Sequence, residues 1–172
     1  KENSAHSSED GESCLFIKAG YQLFFNPEKS LQRQQNVGAY MYFAFDECTS
    51  PQASYEYQIE AMERTHRWAQ RCVDEHTRLE QEKLSRDQVK HPQALFGVVQ
   101  GGRHLDLRET SAKALAEMGF DGFGIGGSFD NDDMEGAVYT ACKHLPEDKP
   151  RHLLGIGEVL DFFLGVGNGF DR

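Results

Sequence analysis

The residues best suited to chemistry stand at the ends of short apolar runs. Asp46 closes the run Tyr40 to Phe45 and leads into Glu47, Cys48 and Thr49. A carboxylate there can accept two hydrogen bonds at once, from donors such as the N1–H and N2–H of guanine. It can equally serve as a helix N-cap or a loop contact. Gln100 follows Val98-Val99 and precedes Gly101-Gly102. Its carboxamide offers a donor and an acceptor to a heterocycle edge, and the glycines let backbone and ligand approach closely. A turn glutamine at a strand end is the alternative. Gly126 and Gly127, in Gly124-Ile125-Gly126-Gly127-Ser128, can aim backbone N–H groups at a carbonyl oxygen or a phosphate, or simply form a tight turn. Asp171, after Asn168-Gly169-Phe170, is a further carboxylate whose usual fate is solvation. His66, Trp68 and His152 read as packing residues or surface donors, and the charge run Glu80 to Asp87 as a solvated helix face.

These groups must be held by elements, and the spacing supplies them. Asn26-Pro27-Glu28 combines an N-cap residue, a first-turn proline and an acidic first turn, predicting a helix to about Asn36. Tyr40 to Phe45 reads as a buried strand. A long helix from about Ser54 to Leu84 carries Tyr57, Ala61, Met62, Thr65, Trp68, Ala69, Cys72 and Val73 on one stripe, and its polar far end, Arg78 to Lys90, is expected to project into solvent. Strand Leu95–Val99, helix Leu105–Met118, strand Gly122–Ile125, helix Met134–Leu145, strand His152–Ile156 and helix Val159–Val166 follow. Before them, Lys1 to Glu12 is a polar tail, and Glu12 to Phe25 a β-hairpin turning near Ala19-Gly20. The alternation implies right-handed βαβ crossovers and a parallel sheet in a single domain, 1–172, with 1–25 as tail and hairpin and 26–172 as βα units. Periodicity alone fits both a (β/α)8 barrel and a doubly wound open sheet.

Composition narrows the class. The chain has 172 residues, 38% hydrophobic and 27% charged, ordinary values for a globular domain. No apolar run is long enough for a membrane span. Cys14, Cys48, Cys72 and Cys142 include no C-x-x-C pair, so a zinc knuckle or redox motif is not indicated, and reduced thiols in a cytoplasm are expected. The net charge of −10 runs against nucleic-acid binding by this segment alone, since phosphate contacts need Lys and Arg.

The order of the motifs is more specific than any one of them. Phe43-Ala44-Phe45-Asp46-Glu47-Cys48, Leu95 to Gly102 (LFGVVQGG), Gly119 to Gly127 (GFDGFGIGG) and Lys149 to Gly157 (KPRHLLGIG) together resemble the tRNA-guanine transglycosylase family of queuine tRNA-ribosyltransferases. Asn26-Pro27-Glu28-Lys29-Ser30 and Glu63-Arg64-Thr65-His66-Arg67-Trp68 are similar to the same family, so the resemblance runs from about Ser8 to the end. It implies an α/β fold that is part of a (β/α)8 barrel, about its last two-thirds, without the N-terminal units and the C-terminal zinc-binding part. It also implies a base exchange: an Asp attacks the ribose of a tRNA anticodon guanosine, guanine leaves, and a 7-deazaguanine such as preQ1 or queuine replaces it, with a second Asp as general acid/base.

Residue by residue, the resemblance makes Asp46 the base-reading aspartate and Gln100 the base-reading glutamine. Gly127, beside Gly126, is the glycine whose N–H meets the base carbonyl, and Cys48 belongs to the same pocket. Gly155, Ile156, Gly157, Glu158, Val159, Leu160 and Asp161 match a segment that contacts RNA. The departures are as informative. The Asp-Ser-Gly-Gly-Phe-Gln motif of the acid/base is expected before Lys1, and the nucleophile in Phe-Asp-Cys-Val-x-Pro-Thr-Arg after the last residue. Aligned without gaps, Asp171 falls about three residues short of that nucleophile, and a short deletion would make it the nucleophile itself. The Cys-x-Cys-x-x-Cys…His zinc site and the basic tRNA-gripping region do not occur in this sequence, so no metal ligand is assigned here and zinc is expected only in the longer family member. Ser128 stands where bacterial members usually have Leu, which leaves the choice of incoming base open. The expected partners are tRNA, guanine or deazaguanine and a second subunit, as homodimer or family heterodimer. An inactive, truncated member acting as a binding subunit is the alternative.

Overall fold

The computed structural model describes residues 5–16, 21–85, 91–127, 131–155 and 166–167, and it is a mixed α/β structure with two sheets. β1 (Ala5–Ser8), β2 (Gly11–Phe16) and β3 (Tyr21–Phe25) form an antiparallel three-stranded sheet in that order. The expected hairpin is therefore present as β2 and β3, with Cys14 opposite Leu23, but part of the supposed tail pairs with it as β1. Such a strand is polar and is held by backbone bonds, so no hydrophobic alternation announces it. The β1–β2 turn docks on a later helix: Trp68 Nε1 donates to Glu9 O at 2.9 Å, and Arg67 pairs with the Glu9 carboxylate at 2.7 Å.

The second sheet is parallel, with strands β4 (Met41–Phe43), β5 (Ala94–Val99), β6 (Gly122–Ile125) and β7 (Arg151–Leu153) in chain order. Between them run α2 (Tyr55–Ser85), α3 (Leu105–Ala116) and α4 (Asn131–His144), with α1 (Pro27–Val37) before β4. α1 starts where the sequence predicts: Asn26 Oδ1 accepts from Lys29 N at 2.9 Å and Pro27 opens the first turn. It stops at Gly38, whose φ of 81° is open to glycine at no steric cost. The strand order never reverses, so right-handed crossovers lay the helices along one face of the sheet.

That face carries the main core. Tyr42, Ala44, Leu95, Val99, Phe123, Ile125 and Leu153 alternate out of the strands toward Leu31, Ala69, Cys72, Ala112 and Leu115 of the helices. The opposite face is built from Phe43, Phe96, Val98 and Leu154, packed over the glycines of β6. A Cβ on Gly122 would lie 2.4 Å from the Phe96 ring, and one on Gly124 would lie 2.9 Å from Phe43 and from Leu154. Phe43 and Phe96 meet edge to face with centroids 5.6 Å apart.

The structure moves several expected boundaries, each for a local reason. β4 ends at Phe43, short of Phe45, because the Phe45 N–H leaves the sheet for Cys72 Sγ at 3.3 Å and its ring packs on Trp68. β7 is Arg151–Leu153, starting one residue before the expected His152–Ile156 and ending ahead of Leu154, and Gly155 turns the chain at φ 74°. α4 begins at Asn131, ahead of Met134, with acidic Asp133 in its first turn at the positive helix end. The far end of α2 does not simply project: Lys83 Nζ reaches Gln93 Oε1 at 2.5 Å, and Gln93 Nε2 reaches Ala39 O at 2.5 Å, tying it to the entrance of β4 and β5. The turn at Ala19-Gly20, most of the expected helix Val159–Val166 and residues 86–90 lie outside the described residues. None of the described helices is long and apolar enough to cross a membrane.

Candidate functional site

Because β4, β5 and β6 are parallel neighbours, the segments that follow Phe43, Val99 and Ile125 emerge at one end of the sheet. There the structure joins the two polar residues picked from the sequence. Gln100 Nε2 donates to Asp46 Oδ2 at 2.6 Å. The next turn is held alongside by Gly126 N donating to Val99 O at 3.1 Å. Gly127 has φ 87°, and a Cβ there would come within 3.0 Å of Gln100 Oε1 and 2.8 Å of Arg108 Nη2. Glycine is thus required at this position both by the backbone and by the space. Asp46, Gln100, Gly126 and Gly127 come together as expected, and Cys48 sits two residues on from Asp46, exposed.

Burial, with a smaller push from the Glu12 charge, raises Asp46 to about 6, against the pull of the Gln100 hydrogen bond. Gln100 is 2% exposed, and its Oε1 has no hydrogen-bond partner among the described residues. A buried carboxamide oxygen left unpaired carries a desolvation cost that a donor from a ligand would relieve.

The loop bearing Asp46 is clamped to α2. Glu47, buried, accepts from Arg64 Nη1 and from Tyr57 Oη, the latter at 2.6 Å, while its N–H donates to Thr65 Oγ1 at 3.0 Å. Thr49 donates to Gln58 Oε1 at 2.6 Å and Gln58 returns a bond to Ser50 O at 3.1 Å. The Gln100 turn is clamped to α3: Gln100 N donates to Ser111 Oγ at 3.2 Å, and Ser111 Oγ lies 3.1 Å from His66 Nε2. His66, whose affinity for a proton burial lowers, is therefore a strut between α2 and α3.

Sequence reasoning passed over Arg108, which is fully buried and bonded to Gly102 O, Val99 O and Gly126 O. A signal was present. Arg108, Ser111, Ala112 and Leu115 lie at positions i, i+3, i+4 and i+7, so a cation occupies the stripe of α3 that faces the sheet.

Other expected residues do not join this group. Gly155 is exposed at the C-terminal end of β7. Ile156, Gly157, Glu158, Val159, Leu160, Asp161, Asp171 and Ser128 lie outside the described residues. Among the described residues no cluster of three or more His, Cys, Asp or Glu is arranged to hold a metal ion, and Cys48, Cys72 and Cys142 form no disulfide. A cavity of about 320 Å³ lined by Gln35, Tyr40, Lys83, His91 and Gln93 opens at the other end of the sheet, beside the starts of β4 and β5.

An acceptor carboxylate, an amide with both polarities and a glycine N–H, meeting at one strand end, suit a flat heterocycle with adjacent donors and a carbonyl. Residues 4–172 match the family model described as queuine tRNA-ribosyltransferase. A protein of Archaeoglobus fulgidus provisionally named a queuine tRNA-ribosyltransferase is 46% identical over 156 residues, covering 90% of this chain and 36% of that protein. Queuine tRNA-ribosyltransferases from Staphylococcus aureus strains bovine RF122 and JH9 are each 42% identical over 154 residues, covering 87% of this chain and 38% of theirs. The chain thus spans a little over a third of the length of the curated relatives it matches. With motifs, paired strand ends and sequence identity in accord, this chain belongs to the queuine tRNA-ribosyltransferase family.

Proposed function

We propose that this chain carries the base-recognition part of a tRNA-guanine transglycosylase, a pentosyltransferase that exchanges an anticodon wobble guanine for a 7-deazaguanine. The observation that carries the reading is the Asp46–Gln100 hydrogen bond of 2.6 Å beside Gly127, with Gln100 Oε1 lacking a partner among the described residues. Without a base the two side chains satisfy each other in part. With guanine bound, Asp46 accepts from N1–H and N2–H, while the Gln100 amide and the Gly127 N–H face the ring edge and its carbonyl. The fold is then a segment of a (β/α)8 barrel, whose sites lie at the C-terminal strand ends, and the unreversed order β4-β5-β6-β7 supports that over a doubly wound sheet.

In the reaction so assigned, an Asp carboxylate bonds to ribose C1′ as the bond to guanine breaks. The incoming deazaguanine then displaces the carboxylate, and a second Asp moves the proton. This chain's described residues hold the base rather than attack the ribose. By the resemblance, residues 155–161 match the segment that contacts RNA, and Asp171 falls about three residues before the nucleophile in the sequence. The zinc ligands implied by the resemblance are not in this sequence, and no step is assigned to the metal. A second subunit and a cytoplasmic setting, where tRNA is found, complete the proposal.

The test is exchange of labelled guanine into tRNA by the full-length protein carrying this segment. Asp46→Ala and Gln100→Ala are each expected to lower exchange by about 100-fold, since each removes hydrogen bonds to a desolvated partner. Wild-type rates in the Asp46 variant, or no exchange by the wild type, would overturn the reading.

A further inference from the structure

We infer that Arg108 is a positioning residue of the base site: its guanidinium locks the Gly126–Gly127 peptide and the Gln100 turn in the orientation that a purine carbonyl needs. The inference rests on the purine reading given above.

The geometry is specific about which groups are held. Arg108 Nε donates to Gly102 O at 2.7 Å, and Nη1 donates to Val99 O at 3.3 Å and to Gly126 O. Gly126 C=O and Gly127 N–H belong to one peptide unit. That unit is planar and trans, so holding the carbonyl on one side aims the N–H to the other. A peptide between two glycines meets little side-chain resistance to rotation, and Gly127 has φ 87°, so the direction of this N–H needs an external anchor. Arg108 is that anchor.

The same holds for Gln100. The peptide Val99–Gln100 is gripped at both ends from α3, its carbonyl by Arg108 and its N–H by Ser111 Oγ at 3.2 Å. One turn of α3 therefore fixes both base-facing groups relative to each other. The bond to Gly126 O does more than orient. A cation on the carbonyl of a peptide polarises its N–H, strengthening it as a donor. The gain is largest when the acceptor carries negative charge, as the guanine carbonyl does while the base departs with the electrons of its glycosidic bond. Burial draws Arg108 down to about 9, so it remains a cation at neutral pH.

The experiment uses the full-length protein with Arg108→Lys and Arg108→Met, checked for folding by thermal melting. It measures KM for guanine, KM for tRNA and the inhibition constant of 2-aminopurine, which lacks the carbonyl oxygen. The expected result is a KM for guanine raised at least tenfold, a KM for tRNA within twofold of wild type, and 2-aminopurine inhibition unchanged. A guanine KM within twofold of wild type overturns the inference, and so does an equal loss for both bases, which would mark Arg108 as a general scaffold residue. If neither variant folds, Arg108→Gln asks the same question, because it keeps a hydrogen-bond donor on a long side chain without the cation. The same guanine-only penalty supports the lock, and equal penalties on both bases refute it. Asp46→Ala separates the two levels. If that change also leaves guanine KM untouched, the purine reading falls; if it alone raises KM, only the role of Arg108 falls.

Discussion

Asp46 is a buried carboxyl held away from its own stability optimum. Its pKa is raised to about 6, chiefly by burial, whereas an unfolded chain releases that proton near 4. Between those values the folded state holds a proton that the unfolded state has lost. Stability contributed by this group is therefore greatest at low pH and is lost as pH rises toward 6. Asp46→Asn is expected to raise the melting temperature at pH ~7.5, by roughly 2–4 °C for each kcal/mol regained in a domain of this size. The gain should shrink toward pH ~4, where the wild-type carboxyl is protonated too. Melting curves at the two pH values check this, and a gain independent of pH would exclude the charge as its cause. Function runs the opposite way. On the proposed function an ionised Asp46 is the double acceptor, so the affinity of the full-length protein for guanine should rise with pH through about 6, and Asp46→Asn should abolish that rise.

At the scale of elements, two helices act as the back wall of the site. α2 contributes Arg64, Tyr57, Thr65 and Gln58 to the loop after β4, and α3 contributes Ser111 and Arg108 to the turns after β5 and β6. Thr65→Val keeps the shape but leaves the buried Glu47 N–H without its acceptor, which costs about 1–3 kcal/mol. Urea unfolding measures that loss, and a change under ~0.5 kcal/mol would mean the loop is anchored by other bonds. Asn26→Ala removes the side-chain cap of α1 and should cost about 1 kcal/mol in the same assay. The sequence announced these helices well. Asn26-Pro27, the stripe from Ala61 to Cys72 and the glycine pairs after β5 and β6 are local signals, and all reappear in the fold. The polar clamps were not announced, because Glu47, Thr65 and Ser111 have no periodicity of their own and acquire partners only when the helices dock.

For the molecule as a whole, the decisive fact is strand order. Among the described strands of the parallel sheet, β5 and β6 are paired on both sides, while β4 and β7 are each paired on one. Hydrogen exchange on the 172-residue chain should therefore show slow amides in Ala94–Val99 and Gly122–Ile125 and faster ones in Met41–Phe43 and Arg151–Leu153. Uniform protection across all four strands would contradict this. The N-terminal sheet is attached through Glu9, which accepts from Trp68, Arg67 and Arg71.

Taken alone, the sequence determined the alternation of strands and helices, the family, and the residue types at three strand ends, since these depend on spacing and on motifs written contiguously along the chain. It left open a barrel against an open sheet, because both repeat the same local period; only pairing between strands distant in sequence shows the order. It did not indicate that Asp46 and Gln100, 54 positions apart, share a hydrogen bond, nor that Arg108 stands behind them. Those contacts exist because burial strips water from polar groups and makes them find one another, and which groups meet is decided by helix packing rather than by neighbours along the chain.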